Sequence, residues 1–191
     1  MMRIKFDAPT HRYQINGKDV PSVTQVLGMA NLYAFIDKQL LAKAARFGTA
    51  VHKATELYDA GTLDYNSLDA ALVPYLEGWR KFLTDTQFQI INSEEIVGSS
   101  LGYAGTYDRI GLLNGKLTLL DIKTSETIPK TTPLQLSAYS SAYEEMHHSL
   151  IEQRVCVKLK PVNYELSFYH DQSNDFWMFK KFLDCYKWSQ S

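Results

Sequence analysis

The spacing of apolar and polar positions changes along the chain, and each change marks a predicted element. Short alternating runs at Arg3–Asp7 and His11–Ile15 predict two strands joined at Ala8-Pro9-Thr10, with Asn16-Gly17 as the next turn. Pro21 leads into Ser22, which reads as the N-cap of a short helix through Leu27 that Gly28 ends. From Leu32 to Asp59 apolar residues recur at helical spacing, and Gly48 is expected to interrupt or bend that run. Asp69–Thr84 repeats the helical pattern. After Gln87 the period shortens. Phe88–Val97, Tyr103–Leu112 and Lys116–Thr124 are rich in β-formers, and Leu113-Asn114-Gly115 is a strong hairpin signal between the last two. Thr132–His148 returns to helical spacing. Glu152–Leu159 and Tyr164–His170 read as strands around the turn Lys160-Pro161-Val162-Asn163, and Asp175–Trp188 reads as a closing amphipathic helix. Helices, a β-meander, then helix, strand, strand and helix predict a mixed α/β or α+β domain.

Composition narrows the class. The 191 residues are 45% hydrophobic, 13% aromatic and 21% charged, which excludes a disordered or collagenous chain and suits one domain. Residues 1–31 are expected to form an N-terminal hairpin and short helix, ahead of a core over 32–191. Lys and Arg number 20 against 21 Asp and Glu, a net charge of −1, so a uniformly basic coat for nucleic acid is excluded. Any polyanion must be held by a local patch. Cys156 and Cys185 are too few for a disulfide scaffold or a cysteine-ligated cluster, and read as reduced thiols. No apolar run approaches membrane-spanning length, and Met1–Asp7 has no signal-peptide core. The expectation is a soluble cytoplasmic protein that engages no membrane.

The chemistry gathers on the predicted hairpin. Asp108 closes Gly105-Thr106-Tyr107-Asp108, and Asp121 and Lys123 lie in Leu119-Leu120-Asp121-Ile122-Lys123-Thr124 on the next strand. Residues two apart on a strand share a face, so Asp121 and Lys123 project together while Ile122 points into the core. Charges at the rim of a core are costly unless paired or metal-bound. Two carboxylates converging from adjacent strands make a hard-oxygen site, suited to Mg²⁺ or Mn²⁺ rather than zinc. Such an ion can orient a phosphodiester and activate a water, and a lysine ammonium beside it can hold that water or stabilise the pentavalent transition state. The competing reading is a rim salt bridge between Asp121 and Lys123 or across to Asp108, which is what an isolated Asp-x-Lys more often is. Two further groups keep the motif company. His52 follows Gly48-Thr49-Ala50-Val51 on a helix, with Glu56 at i+4, as a structural histidine or a nitrogen ligand. Gln135 and Tyr139 are four apart and share a helical face, turned to the site, to a DNA phosphate or simply to each other.

In this order, Gly48…His52, Gly105…Asp108, Asp121…Lys123 and Gln135…Tyr139, the set resembles the RecB-type branch of the PD-(D/E)XK nuclease superfamily. His11–Gly17 and Val20–Thr24 resemble the start of phage exonucleases and of the mitochondrial genome maintenance exonuclease. The resemblance implies a restriction-endonuclease-like core, a central mixed β-sheet flanked by helices, with an N-terminal β-hairpin. It implies His52, Asp108, Asp121 and the Ile122 carbonyl as ligands of Mg²⁺ or Mn²⁺, Lys123 as the catalytic lysine, and Gln135 and Tyr139 as the pair that positions DNA. Glu94 or Glu95 stands where many relatives carry an acidic residue. Two departures are plain: only two cysteines, so no iron–sulfur cluster is expected, and Tyr107 in place of a proline before Asp108. There is also no Walker A pattern for an attached motor.

Basic residues lie beside the motifs: Lys43, Arg46, Lys53, Arg109 and Lys130. Singly each reads as a solvated surface charge; together Arg46, Lys53, Arg109 and Lys130 are expected to line a groove for DNA phosphates. Tyr33, Phe35 and Phe47 are candidates to stack on unpaired bases, although helical spacing favours the core. His147, His148, Trp177 and Trp188 read as surface or packing residues. The expected function is a divalent-metal-dependent DNA exonuclease of phage or prophage recombination, replication or repair. The alternatives are a structure-selective endonuclease and a catalytically silent DNA-binding or protein-interaction module. A recombination or replication partner protein and a ring-shaped oligomer stay open.

Overall fold

The protein's structure, a computed structural model, describes residues 2–30 and 37–191. Strands β1 (Ile4–Asp7), β2 (Arg12–Ile15) and β3 (Lys18–Val20) form an antiparallel three-stranded sheet in that order. The last of these strands follows the Asn16-Gly17 turn, whose residues take φ of 51° and 79°, the left-handed region that Asn and Gly tolerate. Tyr13 and Ile15 turn to the inner face and are buried. Helix α1 (Val23–Gly28) opens with a complete capping box between Ser22 and Gln25.

Helix α2 (Lys38–Asp59) is capped by Asp37, whose side chain accepts from the amides of Gln39 and Leu40. It runs without a break through Gly48, contrary to the expected interruption. A Cβ at Gly48 would lie 3.5 Å from Thr124 Oγ1, an ordinary van der Waals contact, so α2 packs beside the end of the central strand without requiring a glycine there. The first part of the run expected from Leu32 lies outside the described residues. Helix α3 (Val73–Thr86) starts later than Asp69, because Pro74 sits in its first turn and the Asp69 side chain accepts from the Ala71 amide ahead of it.

The meander differs from its prediction in one respect that decides the site. Phe88–Val97 is not one strand but two, β4 (Gln89–Ser93) and β5 (Ile96–Ser99), separated at Glu94, which has a φ of 52°. Tyr103–Leu112 likewise divides into β6 (Tyr103–Thr106) and β7 (Arg109–Leu113). The two breaks lie opposite each other: the Glu94 amide donates to Asp108 O at 3.0 Å and the Tyr107 amide to Glu95 O at 3.2 Å. The paired chains therefore turn a corner together. On one side β4 pairs with β7 in the central sheet, and on the other β5 pairs with β6 in a separate two-stranded sheet.

Strand β8 (Lys116–Lys123) follows the Asn114-Gly115 turn, and α4 (Thr132–His147) crosses to β9 (Gln153–Lys160), which is parallel to β8. Strand β10 (Asn163–Tyr169) and helix α5 (Gln172–Gln190) complete the chain, and the central sheet has the order β10-β9-β8-β7-β4. Its two faces are covered by different helices. Leu120, Ile122, Val155 and Val157 pack with Val51 of α2 and Leu76, Trp79 and Phe82 of α3. Ile110 and Leu119 pack with α1, α4 and α5 through Val26, Leu136, Ala142, Phe179 and Leu183. The fold is thus mixed α+β, a mixed central sheet with flanking helices and N-terminal antiparallel strands. No described helix is long and apolar enough to cross a membrane.

Candidate active site

The corner places Glu94 and Asp108 side by side, and β8 brings Asp121 and Lys123 up beside them. Asp108 Oδ2 accepts from the Ile122 amide at 2.6 Å, which fixes the corner against the end of β8. His52 reaches in from α2: its Nε2 lies 2.9 Å from Ile122 O and its Nδ1 3.3 Å from Asp108 Oδ1. One donor atom each of His52, Glu94 and Asp108 lies within 4.8 Å of the others. Asp121 is 2% exposed, and Lys123 Nζ donates to its Oδ1 at 2.9 Å and to Gln135 Oε1 at 3.1 Å. Asp121 Oδ2 is as near the same ammonium, 2.8 Å, yet outside hydrogen-bonding geometry, so a buried carboxylate oxygen has no hydrogen bond.

Two imidazole contacts to acceptors, Ile122 O and Asp108, are best met when both ring nitrogens carry protons. Burial opposes that charge, but Asp108, with Asp121 behind it, outweighs burial and raises the His52 pKa to about 9. The carboxylates divide. Burial works against ionisation of Asp108, yet His52, Lys123 and the Ile122 amide hold it below the usual range. Burial and the neighbouring Asp108 charge push Asp121 up, against the pull of Lys123. Glu94 is raised to about 7, by burial first and then by Asp108. Lys123 keeps its charge because Asp121 and Asp108 overcome its desolvation. Carboxylates crowded into repulsion around a protonated imidazole are a site short of positive charge.

Tyr139, one turn beyond Gln135 on α4, is buried against the corner strand. A Cβ at Gly105 would come within 2.7 Å of its Cε1, so only glycine admits the ring there. Burial, with Asp108 and Asp121 adding, keeps the Tyr139 hydroxyl protonated. Of the two candidate glutamates, Glu94 faces His52 and Asp108. Glu95 turns away to the Tyr107 hydroxyl, to Asn92 at 2.8 Å and to His147 at 3.0 Å.

Arg109 does not line a DNA groove as expected. Its side chain is fully buried: Nε donates to Asp59 Oδ2 at 2.8 Å, and Nη1 to Glu94 Oε1 at 3.0 Å and Asp108 O at 2.7 Å. Nη2 reaches Thr55 Oγ1 at 3.3 Å, and Trp79 Nε1 donates to the other Asp59 oxygen at 2.8 Å. Its role is to hold Glu94 and the corner against α2. The sequence reading missed Thr55 and Asp59, although with His52 they stand at i, i+3 and i+7, one helical face.

The other expected phosphate contacts, Arg46, Lys53 and Lys130, are exposed, and Lys53 is paired with Glu56 at 2.7 Å, which takes Glu56 out of the site. Phe47 is half-buried and packs edge-on against Tyr75 at 5.0 Å. Tyr33 and Phe35 lie outside the described residues. Tyr13, not singled out before, bonds Thr106 Oγ1 through its hydroxyl at 2.9 Å and ties the N-terminal sheet to the strand that leads into Asp108.

Neither a protein-family model nor a curated protein matches the chain. Among solved structures it is similar to the crystal structure of a candidate exonuclease from Eubacterium rectale, with 10% identity over 73% of this chain and a TM-score of 0.49. It is also similar to the crystal structure of SSO0001, with 14% identity over 72% of this chain and 74% of that one, and a TM-score of 0.34. The chain spans 64% of the length of the Eubacterium rectale protein.

Proposed function

We propose that the protein is a divalent-metal-dependent DNA exonuclease of the RecB-type branch of the PD-(D/E)XK superfamily, serving phage or prophage recombination, replication or repair in the cytoplasm. Residues 1–191 form one nuclease domain in this reading. The observation that carries it is the convergence of His52, Glu94 and Asp108 at one corner, with Asp121 close enough to feel the Asp108 charge and Lys123 held beside them by Asp121 and Gln135.

The donor set fits a hard cation. It offers carboxylates from Asp108, Asp121 and Glu94, the Ile122 carbonyl and one imidazole, and it includes a buried carboxylate oxygen without a hydrogen bond. Mg²⁺ or Mn²⁺ bound there would supply Lewis acidity toward a phosphodiester and a more acidic water. The chain's own residues do the rest. Lys123, fixed by Asp121 and Gln135, presents a permanent positive charge where charge grows on the pentavalent phosphate. Tyr139 keeps a neutral O–H, and its burial excludes water from that side of the site. Arg109 holds Glu94 in place from below. Arg46, Lys53 and Lys130 remain proposed phosphate contacts, and Gln135 with Tyr139 the pair that orders the strand.

Incubation of end-labelled DNA with Mg²⁺ or Mn²⁺ tests the reading, using wild type, Asp121→Ala and Lys123→Ala. Stepwise shortening by wild type and none by the variants is expected. Equal degradation by all three refutes the assignment, and cutting of a closed single-stranded circle replaces exonuclease with endonuclease.

A further inference from the structure

A basic and aromatic band begins near the candidate site and runs onto α5. At one end a groove of about 750 Å³ lies between the N-terminal sheet and α5, lined by Arg12, Tyr13, Lys18, Tyr186 and Lys187 among others. Tyr13 links the groove to the site, because its hydroxyl bonds Thr106, two residues before Asp108. Lys187 also borders a second hollow of about 210 Å³ with Leu101, Trp177, Lys180 and Lys181. The two hollows therefore share a wall.

Trp177 and Trp188 are separated by three helical turns and fall on one face of α5. They are 49% and 79% exposed, unusual for the largest apolar side chain. Lys181 Nζ lies 5.3 Å from the Trp177 ring centroid, and Lys180 Nζ 5.4 Å from that of Phe176. Among the described residues none of Arg12, Lys18, Lys180, Lys181 and Lys187 has a carboxylate at ion-pair distance. The acids lining the two hollows are Asp19 and Asp184. A chain of net charge −1 thus carries a local surplus of cations beside exposed indoles.

We propose that this band binds single-stranded nucleic acid, holding the part of the strand that lies beyond the scissile end. The proposal rests on the reading of the corner as a nuclease site. The cations neutralise phosphates, and Trp177 and Trp188 offer flat faces to bases. A duplex keeps its bases stacked and hidden from those faces. An acidic peptide would satisfy the lysines but leave the indoles without a planar partner.

The tryptophans are also the probe, since of the three in the chain only Trp79 is buried. An oligothymidylate of about 30 nucleotides, long enough to span both hollows and the corner, is titrated in Ca²⁺ buffer into wild type, Trp177→Ala and Lys180→Gln/Lys181→Gln. Wild-type fluorescence should be quenched on binding, and each variant should bind at least tenfold more weakly. The lysine variant should lose about 1.4 from the slope of log affinity against log salt, at roughly 0.7 per phosphate contact. In Mn²⁺ the variants should cleave a dinucleotide like wild type and the long strand more slowly. Unchanged binding by both variants overturns the proposal, even where wild type cleaves DNA, and leaves the band to a protein partner. Binding that follows the band in a wild type that cleaves nothing keeps the proposal and refutes the nuclease reading instead.

Discussion

Replacing Arg109 with methionine should destabilise the protein by about 3–5 kcal/mol, the usual cost of breaking a buried ion pair from one side. The guanidinium is wholly buried and makes bonds to Asp59, Glu94, Thr55 and the Asp108 carbonyl. Glu94 has a side chain 32% exposed and can turn to water, so the cost falls mainly on Asp59, which is 6% exposed. Burial already raises the Asp59 pKa, against the opposing pulls of Trp79 and Arg109, so removing Arg109 leaves a carboxylate with one indole N–H for support. At roughly 2–4 °C per kcal/mol for a chain of this size, the melting temperature should fall by about 6–20 °C. Arg109→Lys should not rescue it, because one ammonium cannot reproduce the planar fork that meets four oxygens. Adding Asp59→Asn should recover part of the loss, since the amide oxygen still accepts from Trp79 and no charge is left buried. Urea denaturation of the four forms in EDTA, read as a double-mutant cycle, measures this. A single-variant loss below about 1 kcal/mol, or no coupling between the two positions, would refute the account of the corner's support.

Without metal, stability should decline as pH rises through the neutral range. The fold lifts Glu94 from 4.5 to about 7 and His52 from 6.5 to about 9, so it binds more protons than the unfolded chain between those values. The Glu94 contribution is complete below 4.5 and lost through about 7; that of His52 is complete below 6.5 and lost through about 9. Melting temperatures in EDTA that climb from pH 5 to pH 9 would contradict this. Mn²⁺ binding should displace about one to two protons per ion at pH 7, from His52 and in part Glu94, measurable by calorimetry in buffers of different ionisation enthalpy. Gly105→Ala should cost about 1–3 kcal/mol by driving a methyl into Tyr139, and should slow cleavage further by displacing its hydroxyl. A crystal structure of that variant with Tyr139 unmoved would show the packing argument to be wrong.

Much of the architecture was legible locally. Asn114-Gly115 marks its hairpin because both residues accept positive φ, 53° and 76°, and the Asp-x-Lys pair shares a face because β8 has period two. The corner was not legible, because Phe88–Val97 is rich in β-formers on both sides of the polar run Asn92–Glu95, and that run does not tell that the chain changes partners there. Strand pairing is a long-range property that a single run of residues does not carry. Gly48 was misread as a break because one glycine costs a helix only about 1 kcal/mol, which the packing of Phe47 and Val51 beside it outweighs. Arg109 looked like a phosphate contact because it follows a metal-type aspartate. Its acidic partner Asp59 lies 50 residues upstream.

The central claim is that the corner holds one divalent ion on which phosphodiester hydrolysis depends. The most direct measurement is the rate of nucleotide release from an end-labelled strand as Mn²⁺ is raised from zero, for wild type and Asp108→Asn. The account predicts no release in EDTA, saturation with Mn²⁺, and a loss of a thousandfold or more in the variant, on the order of 4 kcal/mol of barrier. Release that persists in EDTA, or an Asp108→Asn enzyme as fast as wild type, would contradict it.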